Sequence, residues 1–240
     1  FKKKTAYEFM PSLVGSEMCI RDRTDTMTTF VDSSWYFLRY PDPKNEKEIF
    51  DKDIINYWLP VDQYIGGTEH AVGHLMYSRF ITKFLYDMGL LKFDEPFIRL
   101  LNQGMVLRNG VKMSKSKGNT IDPREIIKEH GVDVLRTYLM SMAAPDKDVE
   151  WSDRDLKGVE KFLEKVISIF GMLDKPHKKH KYIQSITQRI IQKVTQYMRN
   201  LEQNKAVLEL MNLTNEMIKY PDKESYKTLL LLLTPFAPHT

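Results

Sequence analysis

The sequence predicts a mixed α/β region followed by an all-α helical bundle, and two contrasts along the chain indicate this order. In residues 24–153, short apolar runs that end in glycine alternate with segments of helical periodicity, as in α/β domains. From about Ser152 onward, every segment carries apolar residues at helical spacing alone. We therefore expect one domain at 24–153 and a second, all-α domain at 154–240.

The segment 1–23 is set aside from fold prediction, because it resembles translated sequencing-adapter DNA. The stretch LVGSEMCIRDR, residues 13–23, back-translates in frame to a transposase-type adapter end, and KKTAYE has the same character. A genuine N-terminal arm is the alternative. Omitting the segment removes five Lys or Arg and three Asp or Glu, which lowers the net charge from +4 to +2. It also removes Cys19, the only cysteine, and we expect no fold there.

Bulk properties exclude some classes of protein without indicating one. A net charge of +4 only mildly favours a polyanionic partner. The longest aliphatic run, at 229–233, is far too short to span a bilayer, and no secretory signal pattern opens the chain. A single cysteine excludes a disulfide framework and a cysteine zinc site within the chain. We expect no membrane association and a cytoplasmic location.

A strand, a helix and a hairpin are predicted in that order in the first domain. The segment VDQYIGG, residues 61–67, is a short apolar run ending in paired glycines, which predicts a strand and a turn. Residues 74–90 show helical spacing, with six apolar residues on one face: Met76, Phe80, Ile81, Phe84, Leu85 and Met88. The segment MVLRNGVKM, 105–113, predicts a hairpin, since Asn109-Gly110 suits the positive φ angles of a tight turn.

The segment DPRE marks the start of a further helix. Asp122 is a suitable N-cap, Pro123 fits the first turn, and Glu125 completes a predicted capping box. We expect Gly131 to end this helix and Pro145 to end the next one.

Three amphipathic stripes predict a bundle of helices after residue 153. The stripes are Val159, Phe162, Leu163, Val166 and Phe170; Ile183, Ile186, Ile190, Val194, Tyr197 and Leu201; and Val207, Leu210, Met211, Thr214, Met217 and Ile218. The polar segment 174–181 joins the first two helices. Its Lys178 and Lys179 either contact nucleic-acid phosphates or lie in a solvated loop. A last helix carries the leucine run 229–233.

A basic loop, VKMSKSKGN at residues 111–119, has two interpretations. Lys112 and Lys115 alternate with Ser114 and Ser116, and lysine is a compact point charge that suits phosphate oxygens. Small residues and Gly118 would let the loop close over a ligand, so that its charge acts where negative charge develops. A solvated basic loop is the alternative.

Four segments resemble one enzyme family, in the order in which the family has them. KMSKSKGN resembles the second signature of class I aminoacyl-tRNA synthetases. Three others resemble the leucyl-tRNA synthetases in particular: DSSWYFLRY at 32–40, YIGGTEHAVGHLMYSRF at 64–80 and LLNQGMVL at 100–107. The resemblance covers essentially all of 24–240. It implies the second half of a doubly wound, Rossmann-type catalytic domain, followed by a truncated, all-α anticodon-binding bundle.

The resemblance implies an ATP site built from three segments. Gly66 and Gly67 would let the main chain approach the adenosine closely, although a simple turn is the alternative. Glu69 would bind the ribose hydroxyls, and His70 would sit beside the nucleotide. Lys112 and Lys115 of the basic loop would be the catalytic pair that stabilises the triphosphate as pyrophosphate leaves. The remaining ATP contacts would come from Met105, Val106, Met113, Ser114 and Ser116.

The family also implies a pocket for the leucine side chain, walled by Phe30, Ser33, Tyr36 and His74. Judged from the residues alone, these aromatics are also explained as ordinary core. We expect no metal site at His70 and His74, four residues apart. The metalloprotease pattern places Glu directly after the first His, and Ala71 stands there instead.

The resemblance implies ATP and Mg²⁺ as cofactors, leucine and tRNA(Leu) as partners, and a monomeric enzyme. The chain departs from the family in two ways, since it has neither a "HIGH"-type first signature nor an inserted editing domain. We therefore expect the isolated chain to be inactive in leucine activation. Two alternatives remain, namely a non-catalytic half-synthetase that binds ATP or tRNA, and an isoleucyl- or valyl-tRNA synthetase.

Overall fold

The computed structural model describes residues 29–174 and 180–240, which belong to two compact units. The first unit contains 29–59 and Val72–Pro96. The second contains Pro60–Ala71 and the described part of Phe97–Thr240, and it holds every strand assigned in the described chain. The mixed α/β class is confirmed. The predicted domain boundary at 153/154 does not coincide with this division and stays a prediction.

The first unit is built from short α-helices around a small core. They are α1 (Thr29–Ser33), α2 (Tyr36–Arg39), α3 (Lys52–Trp58) and α4 (Met76–Asp87). Asp51 caps α3, because its carboxylate accepts hydrogen bonds from the backbone N–H groups of Asp53 and Ile54 at 2.9 and 3.0 Å. The buried apolar side chains of the first unit are Phe37, Leu38, Phe50, Ile55, Leu75, Leu85 and Leu91.

Helix α4 leaves most of its predicted apolar face exposed. It begins at Met76 rather than at residue 74, because Ala71–Leu75 forms a wider π-helical turn. Its buried positions are Ser78, Thr82 and Leu85, and both hydroxyls donate to backbone carbonyls one turn earlier. Four residues of the predicted face are exposed: Met76, Phe80, Phe84 and Met88. No element among the described residues covers this part of the stripe.

The second unit contains a parallel pair of strands, β1 (Tyr64–Gly67) and β2 (Leu100–Gln103). The predicted strand at 61–67 is therefore shorter than expected, although Val61 forms an isolated bridge with Phe97 just before it. The rings of Tyr64 and Phe97 stack with centroids 3.9 Å apart, which fixes the start of the pair.

The predicted hairpin is confirmed in a second, three-stranded sheet. Strands β3 (Val106–Arg108) and β4 (Val111–Lys112) are antiparallel, and β5 (Val149–Glu150) joins β3 in parallel. Asn109 and Gly110 have φ angles of 55° and 70°, as a tight hairpin turn requires.

Helices α5 (Pro123–His130) and α6 (Val132–Ser141) follow the basic loop. Asp122 caps α5 as predicted and accepts a hydrogen bond from the N–H of Arg124 at 2.9 Å. The structure records no return bond from the Glu125 side chain to Asp122, so the capping box is not formed among these residues. Gly131 ends α5 with a φ of 90°, whereas α6 already ends four residues before Pro145.

The bundle is confirmed, with helices α7 (Asp153–Phe170), α8 (His180–Arg199), α9 (Gln203–Lys219) and α10 (Lys223–Leu233). Most predicted stripe residues enter one core, which also includes Val134 and Tyr138 of α6. Phe170 is 71% exposed, and Leu201 lies beyond α8 with a φ of 58°, so both assignments were wrong. Lys178 and Lys179 lie outside the described residues. No described helix combines the length and the apolar character needed to cross a membrane.

The contribution of the bundle core can be measured with two leucines of α9. Leu210 is fully buried, whereas Leu208 on the same helix is 57% exposed. We expect Leu210→Ala to lower the free energy of unfolding by about 2–5 kcal/mol, because it leaves a cavity in a packed core. Leu208→Ala should change it by less than about 0.5 kcal/mol. Urea unfolding followed by helical circular dichroism measures both, and equal losses would contradict the assigned core.

The capping carboxylate of α5 should titrate at unusually low pH. Hydrogen bonds from the Arg124 guanidinium, then from its backbone N–H, lower the pKa of Asp122 from 3.8 to about 2. A depressed folded-state pKa means that this stabilisation is complete above pH about 4 and is lost as the pH falls towards 2.

An NMR titration of the Asp122 carboxyl carbon measures this pKa directly. We expect Arg124→Ala to raise the midpoint towards the ordinary value for aspartate. A midpoint near 4 in the unsubstituted protein would contradict the bonded geometry.

Candidate functional site

Two parallel strands bring two of the three predicted nucleotide-binding segments to one edge of their sheet. In the register of β1 and β2, Gly66 lies opposite Asn102, and Gly67 lies opposite Gln103. Both strands run in the same direction, so the turns that follow them start side by side, which is where ligands bind in open α/β sheets. The Oδ1 atom of Asn102 is buried and has no partner among the described residues, and sequence reasoning did not single it out.

The side chain of Glu69 covers the second glycine of the turn after β1. A Cβ atom on Gly67 would lie 2.6 Å from Cδ of Glu69, because that carboxylate folds back over the strand end. A Cβ on Gly66 would meet no atom within 4 Å, so the main chain there is open to an incoming group. Thr68–His70 then forms a single 3₁₀ turn, in which both Glu69 and His70 are exposed.

The turn after β2 is held against β5 by backbone contacts. Gly104 donates its N–H to the carbonyl of Pro145 at 2.8 Å, and a Cβ at Gly104 would lie 2.7 Å from the backbone nitrogen of Asp148. Asp148 accepts the N–H of Met105 at 2.7 Å. The Met105 carbonyl accepts the N–H of Val149 at 2.9 Å. The predicted adenine contact at Met105 therefore has its N–H engaged and retains one free lone-pair direction on its carbonyl.

The lysine loop leaves β4, makes a 3₁₀ turn at Lys115–Lys117 and turns again at Gly118, whose φ of 63° is left-handed. Asn119 holds both limbs of the loop together. Its Oδ1 accepts the N–H of Ser114 at 2.8 Å, and its Nδ2 donates to the carbonyl of Lys112 at 3.3 Å. The sequence offered a signal for this role that we did not use, since Asn commonly bonds to nearby backbone groups.

Three exposed ammonium groups of this loop have no counter-charge in the parts of the chain that the structure describes. Within the described residues, Lys112, Lys115 and Lys117 take part in no ion pair, unlike Arg79, which binds Glu95 at 2.6 Å. The Ser114 and Ser116 hydroxyls lie 2.6 Å apart and bond to each other. The loop thus presents positive charge and hydroxyl groups without a carboxylate to neutralise them, an arrangement suited to an anion.

The four predicted pocket residues all lie in the first unit. The Phe30 ring packs on Gly73 so closely that a Cβ at that position would be 2.9 Å from the ring. Tyr36 and His74 stack with centroids 5.8 Å apart, and His74 is buried. Ser33 ends α1, about one turn after Phe30. The structure therefore brings Phe30, Tyr36 and His74 together, and each role in ligand binding stays a prediction.

His70 and His74 lie in different local structures, and the prediction that they hold no metal stays a prediction. His70 is exposed on a 3₁₀ turn, whereas His74 is buried in the π-helical turn that follows. The regular i, i+4 spacing of an α-helix is therefore absent between them. In the described parts of the chain there is no group of three or more His, Cys, Asp or Glu residues placed to hold a metal ion.

Comparison with known sequences gives consistent matches. The family model described as tRNA synthetases class I (I, L, M and V) matches residues 3–152. This range starts within the segment 1–23, so the adapter origin of that segment stays a prediction. The leucine–tRNA ligases of Thermosipho melanesiensis and Thermotoga maritima are 47% and 46% identical over 90% of this chain. The chain spans 29% of the length of each, under a third.

Solved structures show the same fold. A ternary complex of Agrobacterium radiobacter LeuRS with tRNA and LeuAMS matches this chain with a TM-score of 0.82 and 39% sequence identity. The match covers 90% of this chain and 31% of the LeuRS chain. Methionyl-tRNA synthetase from Mycobacterium tuberculosis, bound to methionyl-adenylate, matches 88% of the chain with a TM-score of 0.66. Its identity of 17% supports a shared fold alone. The family model covers more than half of the residues of this chain, so the chain belongs to the class I tRNA synthetases (I, L, M and V).

Proposed function

We propose that the protein, at full length, is a leucine–tRNA ligase that activates leucine with ATP and transfers it to tRNA(Leu). The observation that carries this proposal is the match to the LeuRS–tRNA–LeuAMS complex, at 39% identity over 90% of the chain. Leucine–tRNA ligases from several other organisms are 44–47% identical over a similar share. The covered share of these relatives is under a third, so the activity is an inference about the whole protein.

Leucine activation would form one bond and break another at the α-phosphorus of ATP. An oxygen of the leucine carboxylate attacks that phosphorus, and the bond to the departing pyrophosphate breaks, which leaves leucyl-adenylate. A hydroxyl of the terminal tRNA ribose then takes the leucyl group and releases AMP. The chain would contribute three groups of residues to the first step: one at the strand ends, one in the lysine loop and one around His74.

The strand ends would hold the adenosine. The open backbone at Gly66 admits the nucleoside, and the exposed Glu69 carboxylate accepts hydrogen bonds from ribose hydroxyls. His70 lies on the same turn, beside the nucleotide. Met105 and Val106 follow the neighbouring strand end, where the Met105 carbonyl offers a remaining acceptor direction to the adenine edge.

The lysine loop would act on the triphosphate. Lys112 and Lys115 are exposed and unpaired within the described residues, so they do not have to break an ion pair before they reach a phosphate. Negative charge grows on the β-phosphate as the bond to pyrophosphate breaks, and a nearby ammonium stabilises that charge most in the transition state. Met113, Ser114 and Ser116 would form the rest of this contact.

The group around His74 would hold the leucine side chain. Phe30 and Tyr36 supply aromatic surface, and Ser33 lies on the same helix as Phe30. A buried His74 stacked on Tyr36 gives this wall a fixed position, which a pocket for a branched aliphatic side chain requires.

Mg²⁺ would arrive with the ATP phosphates rather than on a site of this chain. Mg²⁺ commonly keeps several waters and binds substrate phosphates with one or two carboxylates. The described ranges contain no group of three or more His, Cys, Asp or Glu residues placed to hold a metal ion, which fits this mode of binding.

We further propose that the helices α7–α10 are the start of an anticodon-binding domain, that the enzyme is a monomer, and that it works in the cytoplasm.

Amino-acid selectivity of the full-length protein tests this proposal against the related enzymes. Exchange of labelled pyrophosphate into ATP should depend on leucine, with isoleucine, valine and methionine giving lower kcat/KM. A hydrophobic pocket gains only about 1–3 kcal/mol per methylene, so valine should be disfavoured by about 10–200-fold. Faster exchange with isoleucine or valine than with leucine would identify a sister synthetase instead.

Substitution in the lysine loop should affect chemistry more than binding. In the full-length protein we expect Lys115→Ala to lower the rate of leucine-dependent exchange by about 100-fold or more, with little change in the KM for leucine. Lys128→Ala removes an exposed ammonium from α5 nearby and is the matched control. An unchanged rate for Lys115→Ala would mean that the loop is only a solvated basic surface.

The 240-residue chain alone should not form leucyl-adenylate. Its sequence contains the lysine loop and the paired glycines but no "HIGH"-type first signature to hold ATP from the other side. We expect leucine-dependent exchange of pyrophosphate by the purified chain to equal the background without enzyme. Exchange that rises with both leucine and chain concentration would refute this expectation.

A further inference from the structure

The side chain of Asn119 makes two hydrogen bonds of opposite sense across the lysine loop. Its Oδ1 accepts the backbone N–H of Ser114 at 2.8 Å, and its Nδ2 donates to the backbone carbonyl of Lys112 at 3.3 Å. A backbone N–H only donates and a carbonyl only accepts, so this position requires an acceptor and a donor on one side chain. A carboxamide supplies both, whereas a carboxylate supplies acceptors alone. We name this pair of bonds the loop clamp.

The loop clamp joins a short turn to the end of a strand. The 3₁₀ turn is closed by its own bonds, since the N–H of Lys117 donates to the carbonyl of Ser114 at 3.1 Å and that of Gly118 to the carbonyl of Lys115 at 3.2 Å. Gly118 then reverses the chain with a left-handed φ of 63°. Lys112 is the last residue of β4, so the clamp ties this turn back to the sheet.

The loop clamp therefore controls the backbone of both lysines that would act on ATP. Lys112 accepts one clamp bond through its own carbonyl, and Lys115 directly follows Ser114, whose N–H makes the other. A lysine ammonium sits on a flexible four-carbon stem, so the region that it reaches depends on where its backbone is held. Neither lysine has an ion-pair partner in the described chain that could hold its ammonium instead.

We propose that Asn119 is a positioning residue for leucine activation, which holds the lysine loop in one conformation so that Lys112 and Lys115 reach the same triphosphate. Groups that are already placed where negative charge develops stabilise the transition state without a further cost of reorganisation. Loss of the clamp thus slows the chemical step more than it weakens ATP binding. This catalytic consequence rests on the proposed function, whereas the clamp itself does not.

Two substitutions separate the two bonds of the clamp. Asn119→Ala removes both of them. Asn119→Asp keeps an acceptor for the N–H of Ser114, but it turns a second carboxylate oxygen towards the carbonyl of Lys112, where two acceptors repel each other. It also places a negative charge beside the lysines. Thr120→Ala, at the exposed side chain that follows in the sequence, is the matched control.

Kinetics of the full-length protein test the catalytic part of the proposal. In leucine-dependent pyrophosphate exchange, we expect Asn119→Ala and Asn119→Asp to lower kcat by about tenfold or more, because small misplacements of reacting groups cost rates of this order. The KM for ATP should stay within about threefold, and the melting temperature should not change. Thr120→Ala should alter none of these values. An unchanged kcat for Asn119→Ala, or a loss of kcat that comes with a lower melting temperature, would overturn the proposal.

A double-mutant cycle with Lys115→Ala shows whether Asn119 acts through the lysines. If it does, Asn119→Ala should lower kcat by less than about threefold further once Lys115 has been replaced, because the two residues belong to one unit. A residue that supports the fold independently of the lysines would cost the same factor in both backgrounds. An equal factor would therefore refute the positioning role.

Hydrogen exchange at the Ser114 amide, read by mass spectrometry, tests the clamp without catalysis. The amide should lose protection in Asn119→Ala and keep it in Asn119→Asp, while amides in the centre of α9 keep theirs in both variants. Unchanged protection of Ser114 in Asn119→Ala would refute the clamp. An unsubstituted protein without leucine-dependent exchange of pyrophosphate would instead refute the proposed function, and the hydrogen-exchange result would still decide the clamp.

Discussion

The parallel pairing of β1 with β2 is the constraint on which the candidate site depends. Parallel strands place both of their carboxyl ends at one edge, so the turns after Gly67 and Gln103 must begin side by side. Gly104 then allows the second turn to pack directly on the backbone at residues 147–148, which leads the chain into β3 and the lysine loop. One pairing register therefore positions segments that are about 35 residues apart in the sequence.

A second constraint comes from the bundle core. Helix α6 contributes Val134 and Tyr138 to the same core as α7–α10, so the helices that follow the lysine loop cannot move independently of the bundle. In the proposed enzyme, the loop that acts on ATP and the domain that contacts tRNA then share one support. Within the described part of the chain, the lysines of the loop form no ion pair, so in the proposed enzyme the supporting helices are packed while the groups that would contact ATP stay on the surface.

Local chemistry made much of this architecture predictable from the sequence. Asn109-Gly110 specified the hairpin, Asp122 specified a helix start, and the helical stripes after residue 153 specified a bundle. Predictions failed where burial depends on other parts of the molecule. The apolar stripe of α4 has the correct period, but no described element covers it, and Phe170 is exposed for the same reason. Asp148 could not be recognised in advance, because it accepts the backbone N–H of Met105, whose position only the fold determines.

The most direct test of the central claim is the identity of the tRNA that the full-length protein charges. Total tRNA would be incubated with the protein, ATP and labelled leucine, and the charged species would then be isolated and sequenced. A leucine–tRNA ligase should attach leucine to leucine-accepting tRNAs and to no others. Charging of tRNAs that accept isoleucine or valine would contradict the account. So would the absence of any charged tRNA from a protein that binds ATP measurably.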